Sequence, residues 1–154
     1  MKNQSISVKY GLGIGVLLIL VFLLLTIFDF HLKPYVSAIN LVIVGLGLFT
    51  AIKSYKQQTK NDVLKKFNYG GGFRVGVVTG FISTIIFTVF FAIYASNIEP
   101  GFVDKMMGSF DVGYKVGVGT VSFIVALMGL ATTVVMSLAV MQLMKDSWNT
   151  KNNR

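Results

Sequence analysis

The sequence predicts an all-α, polytopic membrane protein: a four-transmembrane-helix bundle with a short amphipathic helix on its outer side. Three observations lead to this fold class. Of the 154 residues, 54% are hydrophobic and 13% are charged, about half the charged fraction of an ordinary soluble domain. Four long stretches contain no charged residue at all. The basic residues are concentrated in alternate connections between those stretches.

The four uncharged stretches define the predicted spans, which cover residues 10–28, 35–52, 75–95 and 116–144. Each is long enough to cross a hydrocarbon core of about 30 Å. Backbone groups in lipid must find hydrogen-bond partners within their own segment, so each stretch is expected to be a helix. We therefore expect one transmembrane domain, residues 1–154, with no room for a second domain.

The basic residues predict the orientation of the chain. Eleven of the fourteen Lys and Arg lie in the N-terminal tail, the connection between spans two and three, or the C-terminal tail. Basic loops remain in the cytoplasm during insertion. Both termini are therefore expected in the cytoplasm. The six tyrosines all fall at predicted span ends, where the headgroup region favours an aromatic ring with a polar tip.

The outer connection after span three predicts a short amphipathic helix. Pro100 stands near its first turn, a position that proline favours. Apolar residues then recur at helical spacing against Asp104, Lys105 and Asp111. The segment is expected to lie on the outer membrane surface or to cap the bundle. Its apolar members are Phe102, Val103, Met106, Met107 and Phe110.

The connection between spans two and three is the most basic part of the chain. Three of its lysines share one helical face, which predicts an extension of span two into water. A loop this short cannot hold a folded basic module, so nucleic acid is not an expected partner. Orientation during insertion accounts for the charge, and we expect the loop also to bind anionic lipid headgroups. The residues concerned are Lys53, Lys56, Lys60, Lys65, Lys66 and Arg74.

Small residues at four-residue spacing predict close helix packing. Gly72, Gly76 and Gly80 share one face of span three, and Gly11 and Gly15 share a face of span one. Such faces let two helix backbones approach each other in a membrane. The partner face belongs either to the same chain or to a second copy; we favour the same chain, because four spans need internal contacts.

The spans contain no charged residue, whereas proton relays and ion-coupled carriers place ionisable groups at mid-membrane. Asn40 is the intramembrane polar residue that most needs a partner, because an amide side chain is costly in lipid. Interhelical hydrogen bonding and contact with a ligand are its two alternatives. With no cysteine and one histidine in the chain, no cofactor and no metal site are expected.

Two segments carry a family resemblance. Phe67-Asn68-Tyr69-Gly70-Gly71-Gly72-Phe73-Arg74-Val75-Gly76 opens span three, and Asn97-Ile98-Glu99-Pro100-Gly101-Phe102 follows it. Together with the Val8-Lys9-Tyr10-Gly11 entry, they resemble the small four-span bacterial membrane proteins of domain-of-unknown-function family 4199, over essentially the whole chain. The resemblance implies a bacterial inner membrane location and the same topology. It implies no catalytic residue.

Three functions are compatible with this sequence. The first, which we favour, is a structural or accessory subunit of a membrane assembly without enzymatic activity, bound to lipid and to a membrane-protein partner or a second copy. The alternative is an oligomeric channel or carrier for a small solute, suggested by the Ser and Thr content of the spans. A lipid-modifying enzyme would need convergent acid–base residues; Asp29 with His31, or Glu99 with Asp104, are the available pairs.

Overall fold

The computed structural model describes residues 2–28, 30, 37–60, 67–108 and 116–144. The described part of the chain is helical apart from short turns and connections. Its elements are α1 (Lys2–Ile27), α2 (Ser37–Lys60), α3 (Tyr69–Ile93), a π-helical segment (Tyr94–Ile98), α4 (Phe102–Gly108) and α5 (Val118–Leu143).

Among the described residues, four helices are long and apolar enough to cross a membrane: Ser5–Ile27, Ala38–Lys60, Tyr69–Ile98 and Val118–Leu143. The predicted fold class is therefore confirmed, and the chain is an integral membrane protein. The helices differ from the predicted spans at their ends. α1 and α3 begin before residues 10 and 75, and α2 continues beyond residue 52 to Lys60, because the charged flanks excluded from a span still form regular helix.

α3 is the central helix, since its contacts with α1 and with α5 are the most extensive in the bundle. It runs parallel to α1: the Ser7 hydroxyl donates to the Val75 carbonyl at 3.4 Å, and further along, Phe22 meets Phe90 with ring centroids 5.8 Å apart. α3 runs antiparallel to α5, and α2 contacts all three of the other long helices. The bundle thus alternates in direction along the chain.

α3 begins where it does because Asn68 caps it. Asn68 has an extended backbone, φ −121° and ψ 154°, and its side-chain oxygen accepts a hydrogen bond from the Gly71 N–H at 2.6 Å. Asparagine is among the best N-cap residues, because its short side chain satisfies an amide that has no partner within the helix. The cap explains why regular helix starts at Tyr69, within the basic connection.

The far end of α3 changes to a π-helix before the chain turns. The Glu99 N–H donates to the Tyr94 carbonyl at 2.9 Å, a five-residue step that widens the last turn of the helix. Pro100 and Gly101 form the turn that follows, and the Phe102 N–H donates to the Glu99 carbonyl at 2.9 Å. The amphipathic segment then forms α4.

α4 caps the bundle. Phe102 and Val103 are only 1% and 3% exposed, and they pack in one cluster with Phe22, Phe91 and Tyr94. The sequence allowed α4 to lie on the membrane surface or to cap the end of the bundle, and in the structure it caps the bundle. Phe110 and Asp111, expected in the same helix, lie outside the described residues.

Candidate functional site

A cavity lies inside the half of the bundle nearest α4. Its volume is about 280 Å³, and all five helices contribute to its wall. The lining is predominantly apolar, and none of the described residues that line it is charged. It is partly open to the outside of the bundle. A concave apolar site with a few polar groups is the usual form of a small-molecule site, so we treat this cavity as the candidate site.

Aromatic rings form one wall of the cavity, and Phe22 of α1 is at their centre. Its ring meets those of its neighbours edge to face, with centroid distances from 5.0 to 6.3 Å. Edge-to-face geometry brings the positive edge of one ring to the negative face of another. The neighbours are Phe87, Phe90, Phe91, Tyr94 and Phe102.

The polar lining comes from one amide and three hydroxyl side chains: Asn40, Thr84, Thr88 and Thr132. Asn40 lies in the first turn of α2. Its Oδ1 atom is buried and has no hydrogen-bond partner among the described residues, and the same is true of Thr88 Oγ1 on α3. A buried acceptor without a partner is costly. Of the two alternatives for Asn40, the interhelical hydrogen bond is not found at Oδ1 in the part of the chain described.

Glu99 holds α4 over the end of the cavity. Its Oε2 accepts from the Tyr94 hydroxyl at 2.8 Å, and its Oε1 accepts from Lys105 Nζ at 2.7 Å. The carboxylate thereby joins the π-helical segment to α4, which closes the cavity with Phe102 and Met106. Glu99 thus connects structural elements in this conformation. Asp104, which the enzyme alternative would pair with Glu99, is exposed.

The glycine face of α3 lies against α5. A Cβ atom placed on Gly76 would come within 2.6 Å of Ser137 Oγ, and one on Gly72 within 2.6 Å of Met141 Sδ. The register is regular, since each step of four residues along α3 corresponds to a step of four back along α5. Gly72, Gly76, Gly80 and Thr84 lie opposite Met141, Ser137, Thr133 and Gly129.

The other two glycines of the packing prediction lie between α1 and α3. A Cβ atom on Gly11 would approach the Thr79 carbonyl oxygen to 2.9 Å, and one on Gly15 would approach Ile86 Cβ to 3.0 Å. Both glycines lie at the contact between these parallel helices. The predicted small faces are thus in contact with other helices of the same chain.

The described residues of the predicted lipid-binding set lie at the end of the bundle opposite α4. Lys56 is partly buried there: its Nζ donates to the Met144 carbonyl at 2.9 Å and lies 5.3 Å from the Phe67 ring centroid. Lys56 therefore caps the C-terminal end of α5, where a cation is favourable. Lys53, Lys60 and Arg74 are exposed. Lys65 and Lys66, together with Asp29 and His31, lie outside the described residues.

Several residues of the site were missed by sequence reasoning. The aromatic wall, Thr88 and Gly129 were not assigned a role from the sequence. A signal was present for the α5 face, because Gly129, Thr133 and Ser137 repeat the four-residue spacing seen in α3. No comparable signal marks the cavity. Among the described residues, no group of three His, Cys, Asp or Glu side chains could hold a metal ion.

Comparison with known proteins gives one match. The model of a family described as "Protein of unknown function (DUF4199)" matches residues 9–111. This range covers the basic connection, the π-helical segment and α4, and it ends before α5, so the resemblance spans less of the chain than expected. No curated protein and no solved structure matches the chain.

Proposed function

The chain belongs to the DUF4199 family of proteins of unknown function, and from this premise we propose that it is a non-enzymatic subunit of the bacterial inner membrane, structural or accessory to a larger assembly. Both termini are in the cytoplasm. Its partners are membrane lipid and either another membrane protein or a second copy of the chain.

The distribution of charge supports the orientation. Among the described residues, Lys2, Lys9, Lys53, Lys56, Lys60 and Arg74 are at the end of the bundle that holds the N-terminus of α1. Glu99, Asp104 and Lys105 are at the α4 end. The basic end is cytoplasmic by the positive-inside rule, so α4 faces the outside.

Labelling of single cysteines tests this orientation, because the natural sequence has no cysteine. Asp104 and Lys60 are exposed at opposite ends of the bundle. Asp104→Cys should react with a membrane-impermeant maleimide in intact spheroplasts, and Lys60→Cys only after permeabilisation. The reverse pattern would contradict the proposed orientation.

The observation that carries the accessory role is that charged side chains of the bundle form contacts that hold the fold together. Glu99 joins the π-helical segment to α4, and Lys56 caps α5. α5 is also the least buried of the four described spans: only 17% of the residues in its most apolar window are buried in the bundle, against 33% for α3. A partner of the assembly is proposed to cover the outward face of α5.

Co-purification from native membranes tests the accessory role. The expected result is a second protein present in stoichiometric amount. Val135→Trp on the outward face of α5, where Val135 is 63% exposed, should reduce its recovery. The matched control is Leu20→Trp on the outward face of α1, where Leu20 is 52% exposed. A monomeric chain recovered with lipid alone would contradict the proposal.

A second candidate function is a carrier or channel for a small solute. The observation that favours it is the cavity of about 280 Å³ among the four long helices. A carrier must expose such a site to both sides of the membrane in turn. Flux of a small neutral solute into proteoliposomes would favour this candidate. If no flux is measured and a stoichiometric protein partner co-purifies, the accessory role is favoured.

A further inference from the structure

The cavity near α4 combines an apolar lining with two buried polar atoms, Asn40 Oδ1 and Thr88 Oγ1, that have no partner among the described residues. Lipid hydrocarbon could fill the space but could not form a hydrogen bond with either atom. We propose that the cavity binds a small, neutral, hydroxylated aromatic molecule that partitions into the membrane. This inference goes beyond the proposed function, because such a ligand could occupy a subunit or a carrier alike.

The volume limits the size of the ligand. An apolar cavity of about 150 Å³ accommodates benzene, and this cavity measures about 280 Å³. The space therefore suits a body a little under twice the size of benzene, and a fused pair of six-membered rings that carries a hydroxyl group has about that size. A longer substituent on the ring system could extend through the open side of the cavity.

The walls favour an aromatic body. Phe22, Phe87, Phe91 and Phe102 line the cavity together with Met106 and Met128. Phenylalanine edges and faces pack favourably on a further ring, and the methionine thioether adds favourable contacts with aromatic edges. A bicyclic aromatic ring would extend the edge-to-face arrangement around Phe22.

The polar atoms specify a hydroxyl group. Asn40 Oδ1 accepts hydrogen bonds and cannot donate them, so the ligand must bring a donor; Thr88 Oγ1 can donate or accept. A hydroxyl can donate to Asn40 and accept from Thr88. A charged group would find no counter-ion, since none of the described lining residues is charged, and burial of an unpaired charge is costly.

The test uses 2-naphthol as the probe, with protein in nanodiscs of neutral phospholipid. 2-Methoxynaphthalene has the same ring system and lacks the donor. Binding is measured as the rise in the Tm of the protein with probe concentration, because a ligand that binds the folded state stabilises it by mass action. Each probe also partitions into the bilayer, but it does so to the same extent with every protein variant. A comparison between variants therefore removes this contribution.

Two variants of α2 separate the cavity from its surroundings. Val44 lines the cavity, and Val42, on the same helix, is 57% exposed to the outside of the bundle. 2-Naphthol should raise the Tm of wild type and of Val42→Phe, and should leave that of Val44→Phe unchanged. An equal response of the two variants, or no response of wild type, would overturn the proposal.

Removal of the acceptor tests the chemistry. Wild type should bind 2-naphthol about fivefold more tightly than 2-methoxynaphthalene, the effect of one additional hydrogen bond. Asn40→Leu should abolish this preference while both probes still bind. Thr88→Val, which replaces a hydroxyl by a methyl group of similar size, should weaken the binding of both probes alike, because each carries an oxygen that can accept from Thr88; this variant tests the site even if Asn40→Leu or Val44→Phe fails to fold. A preference that survives in Asn40→Leu, or an unchanged affinity of both probes for Thr88→Val, would refute the hydroxyl assignment.

Discussion

At the scale of single residues, the amount of free space at a glycine decides its role. Gly76 of α3 faces Ser137 so closely that a Cβ atom would lie 2.6 Å from Oγ. Among the described residues, no heavy atom of another helix lies within 4 Å of the same position at Gly13 of α1. The spacing distinguishes these two positions, because Gly76 has glycines four residues away on both sides, whereas Gly13 has Lys9 and Leu17 there.

Replacement of these two glycines by alanine should have opposite effects. Gly76→Ala should lower the free energy of unfolding by about 2 kcal/mol, because the new methyl group must separate α3 from α5. Gly13→Ala should leave it unchanged or raise it by up to about 1 kcal/mol, because alanine is the better helix former. Chemical unfolding in detergent measures both. Equal effects would show that the α3–α5 contact does not limit packing.

The Tyr94 hydroxyl should contribute to the stability of the α4 end. Tyr94→Phe removes the donor to Glu99 and should cost about 1.5 kcal/mol, since the acceptor is a carboxylate. Tyr69→Phe is the matched control: the Tyr69 hydroxyl lies 3.5 Å from Gln142 Nε2 and is exposed, so its loss should cost little. A larger loss of stability from Tyr69→Phe would contradict the role assigned to Glu99.

At the scale of elements, the ends of α3 differ in how they are held. At the start, the side chain of Asn68 caps the helix, and local sequence suffices to explain this. At the other end, the π-helical segment joins α4 through contacts between residues on both elements. The position of α4 therefore depends on tertiary contacts, although its amphipathic pattern is visible in the sequence.

Loss of the cap should destabilise α3 specifically. Asn68→Ala should lower the free energy of unfolding by about 1 kcal/mol and increase amide exchange in the first turn. Asn97→Ala serves as the control, because Asn97 is exposed and bonds only weakly to the Ile93 carbonyl, at 3.3 Å. Unchanged exchange at Gly70 and Gly71 in Asn68→Ala would contradict the capping role.

At the scale of the whole molecule, the two ends of the bundle differ in charge. The basic end carries exposed Lys53, Lys60 and Arg74, while Lys56 is engaged with the Met144 carbonyl. A test of lipid binding should therefore leave Lys56 in place, because its loss would also disturb the end of α5.

We expect the basic end to retain anionic lipid. A variant with Lys53, Lys60, Lys65 and Lys66 changed to Gln should co-purify with less anionic lipid than wild type, because each cation near the bilayer contributes about 1 kcal/mol. Lys105→Gln, at the opposite end, is the control and should retain the wild-type amount. If the fourfold variant retains as much as wild type, the charges serve orientation alone.

The sequence alone determined the number of spans, the helical class and the separation of charge between alternate connections. These properties follow from hydrophobicity and charge summed along a segment, so they need no knowledge of which helices meet. The four-residue spacing of Gly72, Gly76 and Gly80 also identified a small face. Its partner was not identified, because a membrane helix is apolar on all sides and its pattern does not mark an inner face.

The tertiary structure decided the pairing of α3 with α5, the position of α4 and the cavity beside Asn40. Lipid tails are as apolar as leucine, so packing within a membrane depends on shape and on hydrogen bonds rather than on the hydrophobic effect. Shape is a property of two surfaces at once: Gly76 fits because Ser137 lies opposite it, and the cavity exists because the rings around Phe22 do not fill the space between the helices. For this physical reason, the pairing of the helices, the position of α4 and the cavity could be found only in the assembled bundle.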